Sequence, residues 1–122
     1  MGKRIMIVDD SRAQAFQVQG LLENTDYEVA ACCQTGEEAL AEYNTILPDL
    51  VTMDIIMPGM DGLETAQAIL EEHPNAKIIM ISSLDYDDTR QEADDIGAKA
   101  FLCKPFDRDE LLATLDRVMA ED

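Results

Sequence analysis

Four apolar runs in this chain each end in residues able to do chemistry. Residues 3–8 lead into Asp9-Asp10, residues 49–53 into Asp54, residues 77–81 into Ser82-Ser83, and residues 99–103 into Lys104-Pro105. If those four ends meet at one edge, that edge holds two or three carboxylates, a hydroxyl and an ammonium. Carboxylates crowded in this way raise one another's pKa unless a cation lies among them. A hard divalent ion with oxygen ligands suits such a set, and Mg²⁺ typically takes one or two carboxylates and keeps positions open for water and phosphate oxygens. The ion would neutralise an incoming phosphoryl group while a carboxylate attacks phosphorus. Lys104 would bring a second positive charge to the phosphoryl oxygens, and the Ser82 hydroxyl would reach a third oxygen.

The elements that would have to align these ends are legible in the same runs. Residues 3–8, 28–33, 49–53, 77–82 and 99–103 are short, apolar and often β-branched. They read as strands of a sheet covered on both faces. Helical spacing fills the gaps; in the last helix Leu111, Leu112, Leu115, Val118 and Met119 share one face. Ser11-x-x-Gln14 and Thr35-x-x-Glu38 match the capping box, and Asp61-x-x-Glu64 and Asp107-x-x-Glu110 are Asp-led versions of it. Gly97 stands where a fourth helix would end. Gly20, inside the first helix, should cost about 1 kcal/mol against Ala, and the sequence gives no reason for it. Five strands alternating with five helices predict an α/β fold: a doubly wound, five-stranded parallel sheet in the flavodoxin-like order 2-1-3-4-5, with helices on both faces. That order makes strands 1, 3, 4 and 5 neighbours, and it places a ligand site at their carboxyl ends.

Composition narrows the function. The chain has 122 residues, 26 acids against 9 bases and a net charge of −17. Such a surface repels nucleic acid and anionic lipid and favours a cation or a basic protein partner. No apolar run approaches the roughly 20 residues of a membrane span. The apolar start after Lys3-Arg4 is cut short by Asp9-Asp10, unlike a signal peptide, so a cytoplasmic protein is expected. Cys32, Cys33 and Cys103 are odd in number, include an adjacent pair and form no CxxC. With His73 as the one histidine, neither a disulfide framework nor a zinc site is suggested. They read as small strand residues, some of them buried.

The sequence resembles the receiver domains of two-component response regulators. The resemblance rests on Ile7-Val8-Asp9-Asp10-Ser11, on Asp54-Ile55-Ile56-Met57-Pro58-Gly59-Met60-Asp61-Gly62, on Ile81-Ser82-Ser83, on Gly97-Ala98 and on Phe101-Leu102-Cys103-Lys104-Pro105-Phe106. It covers essentially the whole chain, read as one receiver domain over residues 1–122 without an output domain. The resemblance implies that Asp54 is the phosphoacceptor. It implies that Asp10 binds Mg²⁺ (or Mn²⁺) directly, that Asp9 does so mostly through water, and that Asp54 and the backbone carbonyl of Ile56 complete the protein ligands. Lys104, Ser82 and Ser83 then contact phosphate, the bond before Pro105 is cis, and Ser82 and Phe101 are the switch pair. Phe101 stands where Tyr is commoner, so its switching would use packing alone. Ile56 and Leu84 would flank the water that hydrolyses the acyl phosphate, and neither can orient it, so slow decay is expected.

The resemblance further implies a phosphoryl donor, either a sensor histidine kinase or a histidine phosphotransfer protein. It implies no turnover enzyme, only catalysis of the chain's own phosphorylation and slow autodephosphorylation. The segment Pro48-Asp49-Leu50-Val51-Thr52-Met53-Asp54 is similar to stand-alone chemotaxis regulators, whereas Ser82-Ser83-Leu84 is similar to receivers of chemotaxis methylesterases. A chemotaxis-type regulator is therefore the leading reading. A phosphorelay intermediate, and an isolated receiver of a larger regulator such as a methylesterase, are the alternatives. The fourth helix, with Tyr86, Ala93 and Ile96 as apolar anchors, carries Asp85, Asp87, Asp88, Glu92, Asp94 and Asp95 against Arg90. With strand 5 and helix 5 it would form an acidic output surface for a basic partner, and a monomer is expected. A dinucleotide binder would want glycines after the first strand, where Asp9-Asp10-Ser11-Arg12 stands, and a haloacid-dehalogenase-type phosphatase would want Asp-x-Asp there.

Overall fold

The computed structural model describes residues 2–84 and 86–121. In chain order the elements are β1 (Lys3–Val8), α1 (Arg12–Leu21), β2 (Tyr27–Cys33), α2 (Gly36–Ile46), β3 (Leu50–Asp54), α3 (Gly62–Glu72), β4 (Ile78–Ser82), α4 (Asp87–Ile96), β5 (Ala100–Cys103) and α5 (Arg108–Ala120). All pairings are parallel and the order is β2-β1-β3-β4-β5. The doubly wound sheet expected from the alternation is the one observed. Strand boundaries move by one residue at most, and Asp54 is the last residue of β3.

Every residue of β3 and β4 is buried, as a central parallel strand covered on both faces requires. Alternation of side chains divides the core. Met6, Val8, Val51, Met53, Ile78 and Met80 pack in one layer with Ala39, Ala66 and Ala93 of α2, α3 and α4. Ile5, Ile7, Leu50, Ile79 and Ile81 pack in the other with Val18, Leu111, Leu115 and Val118 of α1 and α5. The α5 stripe faces inward as its spacing predicts. β1 and β2 lose step once: Ile5 faces Val29 but Met6 faces Ala31.

The four proposed caps all form at the first bond. Ser11, Thr35, Asp61 and Asp107 accept from the amides of Gln14, Glu38, Glu64 and Glu110. The reciprocal bond of a capping box closes at α3, where Glu64 accepts from the Asp61 amide at 3.2 Å. Glu38 instead accepts from Gln34, and the Gln14 side chain goes to the functional site. Gly97, at φ +102, ends α4 in the left-handed region. Tyr86 is not an anchor of α4: it precedes the helix, caps it with no side-chain bond and is 63% exposed. Asp85 lies outside the described residues. Nothing lies within 4 Å of a Cβ built at Gly20, so packing does not explain that glycine. No described helix is long and apolar enough to cross a membrane. Cys32, Cys33 and Cys103 are free, and Cys33 is buried with its thiol pushed up to about 12, chiefly by burial.

Candidate functional site

Register builds the site. Val8 lies beside Met53, so the next residue of each chain segment, Asp9 and Asp54, comes level at the carboxyl edge. Ser82 pairs with Cys103, and the amide of Lys104 donates to the Ser82 carbonyl at 2.9 Å. Lys104 thereby enters the same edge, followed by a cis bond to Pro105. Asp9 is fixed from two sides: its amide donates to Cys33 O at 3.0 Å, and its Oδ1 accepts from the Ser11 amide at 2.9 Å. Behind Asp54 the start of α3 presses on the backbone. A Cβ at Gly62 would collide with the Asp54 carbonyl oxygen and lie 2.7 Å from Ile55 Cα, so glycine is required by this close approach.

Carboxylate oxygens of Asp9, Asp10 and Asp54 lie within 4.8 Å of one another. Asp9 and Asp54 are buried while Asp10 is exposed. The Lys104 ammonium lies 3.1 Å from Asp54 Oδ1 and 3.5 Å from Asp9 Oδ2, and it donates to Gln14 Oε1. Burial pushes the Asp54 carboxyl from 3.8 up to about 6; the charge and hydrogen bond of Lys104 pull it down, and the charges of Asp9 and Asp10 push it up. One cation thus serves two buried carboxylates with a third beside them. Three converging carboxylates without sulfur or imidazole form an oxygen-only donor set that fits a hard divalent ion.

The mouth in front of Asp54 is lined by Asp10, Ile56, Ser83, Leu84 and Lys104. The Ile56 side chain is 56% exposed there and Leu84 39%. Ser82 is set back: it is buried, and its hydroxyl accepts from the Leu84 amide at 3.0 Å. Phe101 is half-buried on β5, and the Arg90 guanidinium of α4 lies 4.6 Å above its ring. Asp87, Asp88, Glu92, Asp94 and Asp95 of α4 are all exposed. Sequence reasoning missed Gln14 as a partner of Lys104. Its place in an S-x-x-Q cap was the visible signal, and it pointed to the backbone instead.

The family model for the response regulator receiver domain matches residues 5–116. The chemotaxis protein CheY of Thermotoga maritima is 39% identical over 118 residues, covering 97% of this chain and 98% of that protein. The protein-glutamate methylesterase/protein-glutamine glutaminase of Idiomarina loihiensis is 39% identical over 129 residues, which is 98% of this chain and 33% of that protein. Among solved structures, CheY of Borrelia burgdorferi in its CheX–CheY–BeF3–Mg²⁺ complex superposes with a TM-score of 0.93 at 33% identity, over 98% of this chain and 90% of that one.

Proposed function

The chain belongs to the response regulator receiver domain family, and from that premise we propose that it takes a phosphoryl group on Asp54 from a phosphohistidine of a sensor kinase or phosphotransfer protein. The observation that supports Asp54 most directly is its setting: a buried carboxylate at a strand end, 3.1 Å from Lys104 and grouped with Asp9 and Asp10. Asp9, Asp10, Asp54 and the backbone carbonyl of Ile56 would hold Mg²⁺, or Mn²⁺ in its place. When bound, the ion neutralises charge on the phosphoryl oxygens.

The chain's own residues supply the rest. Lys104 holds Asp54 Oδ1, which leaves Oδ2 as the attacking oxygen. The O–P bond forms as the P–N bond to the imidazole breaks, and the imidazole leaves. The Lys104 ammonium and the Ser82 and Ser83 hydroxyls then meet the phosphoryl oxygens. The Ser82 hydroxyl accepts from the Leu84 amide, and its own proton would turn to a phosphoryl oxygen. Phe101 would follow, giving up its contact with Arg90, and the change would reach the acidic surface of α4, β5 and α5. A partner rich in Lys or Arg fits that surface.

The pathway reading is a chemotaxis-type regulator, favoured by the end-to-end match to a stand-alone CheY. A receiver module of a methylesterase is the second reading, because the Idiomarina protein is also 39% identical, over a third of its length. The test of the acceptor is incubation with acetyl phosphate and Mg²⁺, followed by intact mass spectrometry. One phosphoryl group should add to the wild type and none to Asp54→Asn; equal labelling of the two overturns the assignment.

A further inference from the structure

The Lys104 ammonium has partners on three segments of the chain. Asp54 ends β3 and Asp9 follows β1, and both are buried carboxylates, at 3.1 Å and 3.5 Å. The third partner is Oε1 of Gln14, from the first turn of α1. An ammonium has donors only, so the Gln14 amide turns its oxygen to it. Local pattern explains why this glutamine is available. In a capping box its side chain would return to the Ser11 amide, but that amide already donates to Asp9 Oδ1 at 2.9 Å. Asp9 thus occupies the group that Gln14 would bond, and through Oδ2 it holds the lysine toward which Gln14 turns.

The three partners are not equivalent. Asp9 and Asp54 belong to the acidic cluster that fits a divalent ion, and Gln14 does not. Its hold on Lys104 is therefore the same whether the carboxylates are bare or shared with a cation. Gln14 is also uncharged. It fixes the ammonium without drawing down the positive charge that phosphoryl oxygens would meet, as a Glu of the same reach would. The residue is exposed, so packing does not force its side chain onto the lysine. We propose that Gln14 is a positioning residue for phosphotransfer: it places the Lys104 ammonium beside Asp54, in reach of the incoming phosphoryl oxygens, and touches no reacting atom itself. The inference rests on Asp54 being the acceptor and adds to that reading a residue of α1.

The test compares the full wild-type chain with Gln14→Met, which keeps the length and helix propensity of the side chain and removes its acceptor. In EDTA, with lysine labelled with ¹⁵N, the Lys104 ammonium should give its own cross-peak in wild type, because its partners slow exchange with water. That peak should be lost in Gln14→Met. With Mg²⁺ and acetyl phosphate, Gln14→Met should gain its phosphoryl group about tenfold more slowly than wild type by intact mass spectrometry, the scale of a misplacement under 1 Å. A double-mutant cycle separates action through Lys104 from a general distortion of the site: in a Lys104→Met background the Gln14 substitution should slow labelling no further. The measurement in EDTA needs no Lys104 variant. A Lys104 peak equally sharp in both proteins, labelling of Gln14→Met at the wild-type rate, or an equal slowing in the Lys104→Met background would each overturn the role of Gln14 and leave the acceptor standing. A wild type that takes no phosphoryl group would overturn the acceptor, and this role with it.

Discussion

Replacing Asp54 by Asn should stabilise the metal-free protein, and by an amount that depends on pH in a defined direction. The carboxyl is pushed from 3.8 to about 6, burial being the largest cause. Between those two values the folded protein keeps a proton that the unfolded chain has released. Stability therefore falls as pH rises through that window and stays reduced above it. A shift of about two units at ~1.36 kcal/mol each gives about 3 kcal/mol lost at about pH 8. The pull of Lys104 is already contained in the shift, and after the substitution Asp9 still holds that lysine at 3.5 Å. Asn keeps the shape of the side chain and cannot ionise. Urea unfolding in EDTA should then show Asp54→Asn more stable than wild type by up to about 3 kcal/mol at about pH 8, with the difference closing near pH 4. Comparing the two proteins at each pH cancels the titration of carboxylates remote from Asp9, Asp10 and Asp54. Millimolar Mg²⁺ should narrow the gap, because it stabilises the wild type more. A variant less stable than wild type at pH 8, or a difference unchanged between the two pH values, would refute the reasoning.

Gly20→Ala should raise stability by about 0.5–1 kcal/mol in urea, since a Cβ there meets nothing. Gly62→Ala should cost about 1–3 kcal/mol and slow labelling by acetyl phosphate, because its Cβ would displace the Asp54–Ile55 backbone; a variant of wild-type stability would show that α3 can shift freely. The Ile56→Asn, Leu84→Glu double variant should lose its phosphoryl signal several-fold faster than wild type, measured by decay after removal of the donor, because both exposed apolar side chains would give way to groups able to orient water. Binding of the phosphorylated chain to its output partner should weaken as salt rises, read by titration calorimetry at two ionic strengths, given the exposed acids of α4.

The fold, and the meeting of the candidate site residues at one edge, were largely readable because both are written in local pattern. Short apolar runs with polar ends at positions 9, 54, 82 and 104 gave strands and edge together, and parallel order followed from alternation. Features made by contact across elements were hidden. Nothing in Ser11-x-x-Gln14 says that the Gln14 side chain meets a lysine 90 residues on. Thr52 reads as an ordinary β-branched strand residue, and its unpaired hydroxyl appears once Ile7 and Ile79 are known to flank it. Gly62 reads as part of a motif, while its cause is the backbone of Asp54 lying against it. Tyr86 was misplaced for a related reason. An aromatic beside an acidic helix fits an anchor by spacing, but α4 begins one residue later and turns Ala93 inward instead.

The thin attachment of α4 has a consequence for hydrogen exchange. α4 has Ala93 as its buried residue, while β3 next to it in function is buried from Leu50 to Asp54. Amides of β3 should therefore exchange only through global unfolding, and those of α4 through local opening at a far smaller free energy. The proposed acceptor is thus mounted on a slow-opening strand and the proposed output face on a helix that opens more readily. A coupling free energy of about 1–3 kcal/mol, the usual scale between linked sites, would be negligible against the opening of β3 yet large against that of α4. Phosphorylation can then redistribute the populations of the helix without loosening the strand that carries the phosphoryl group.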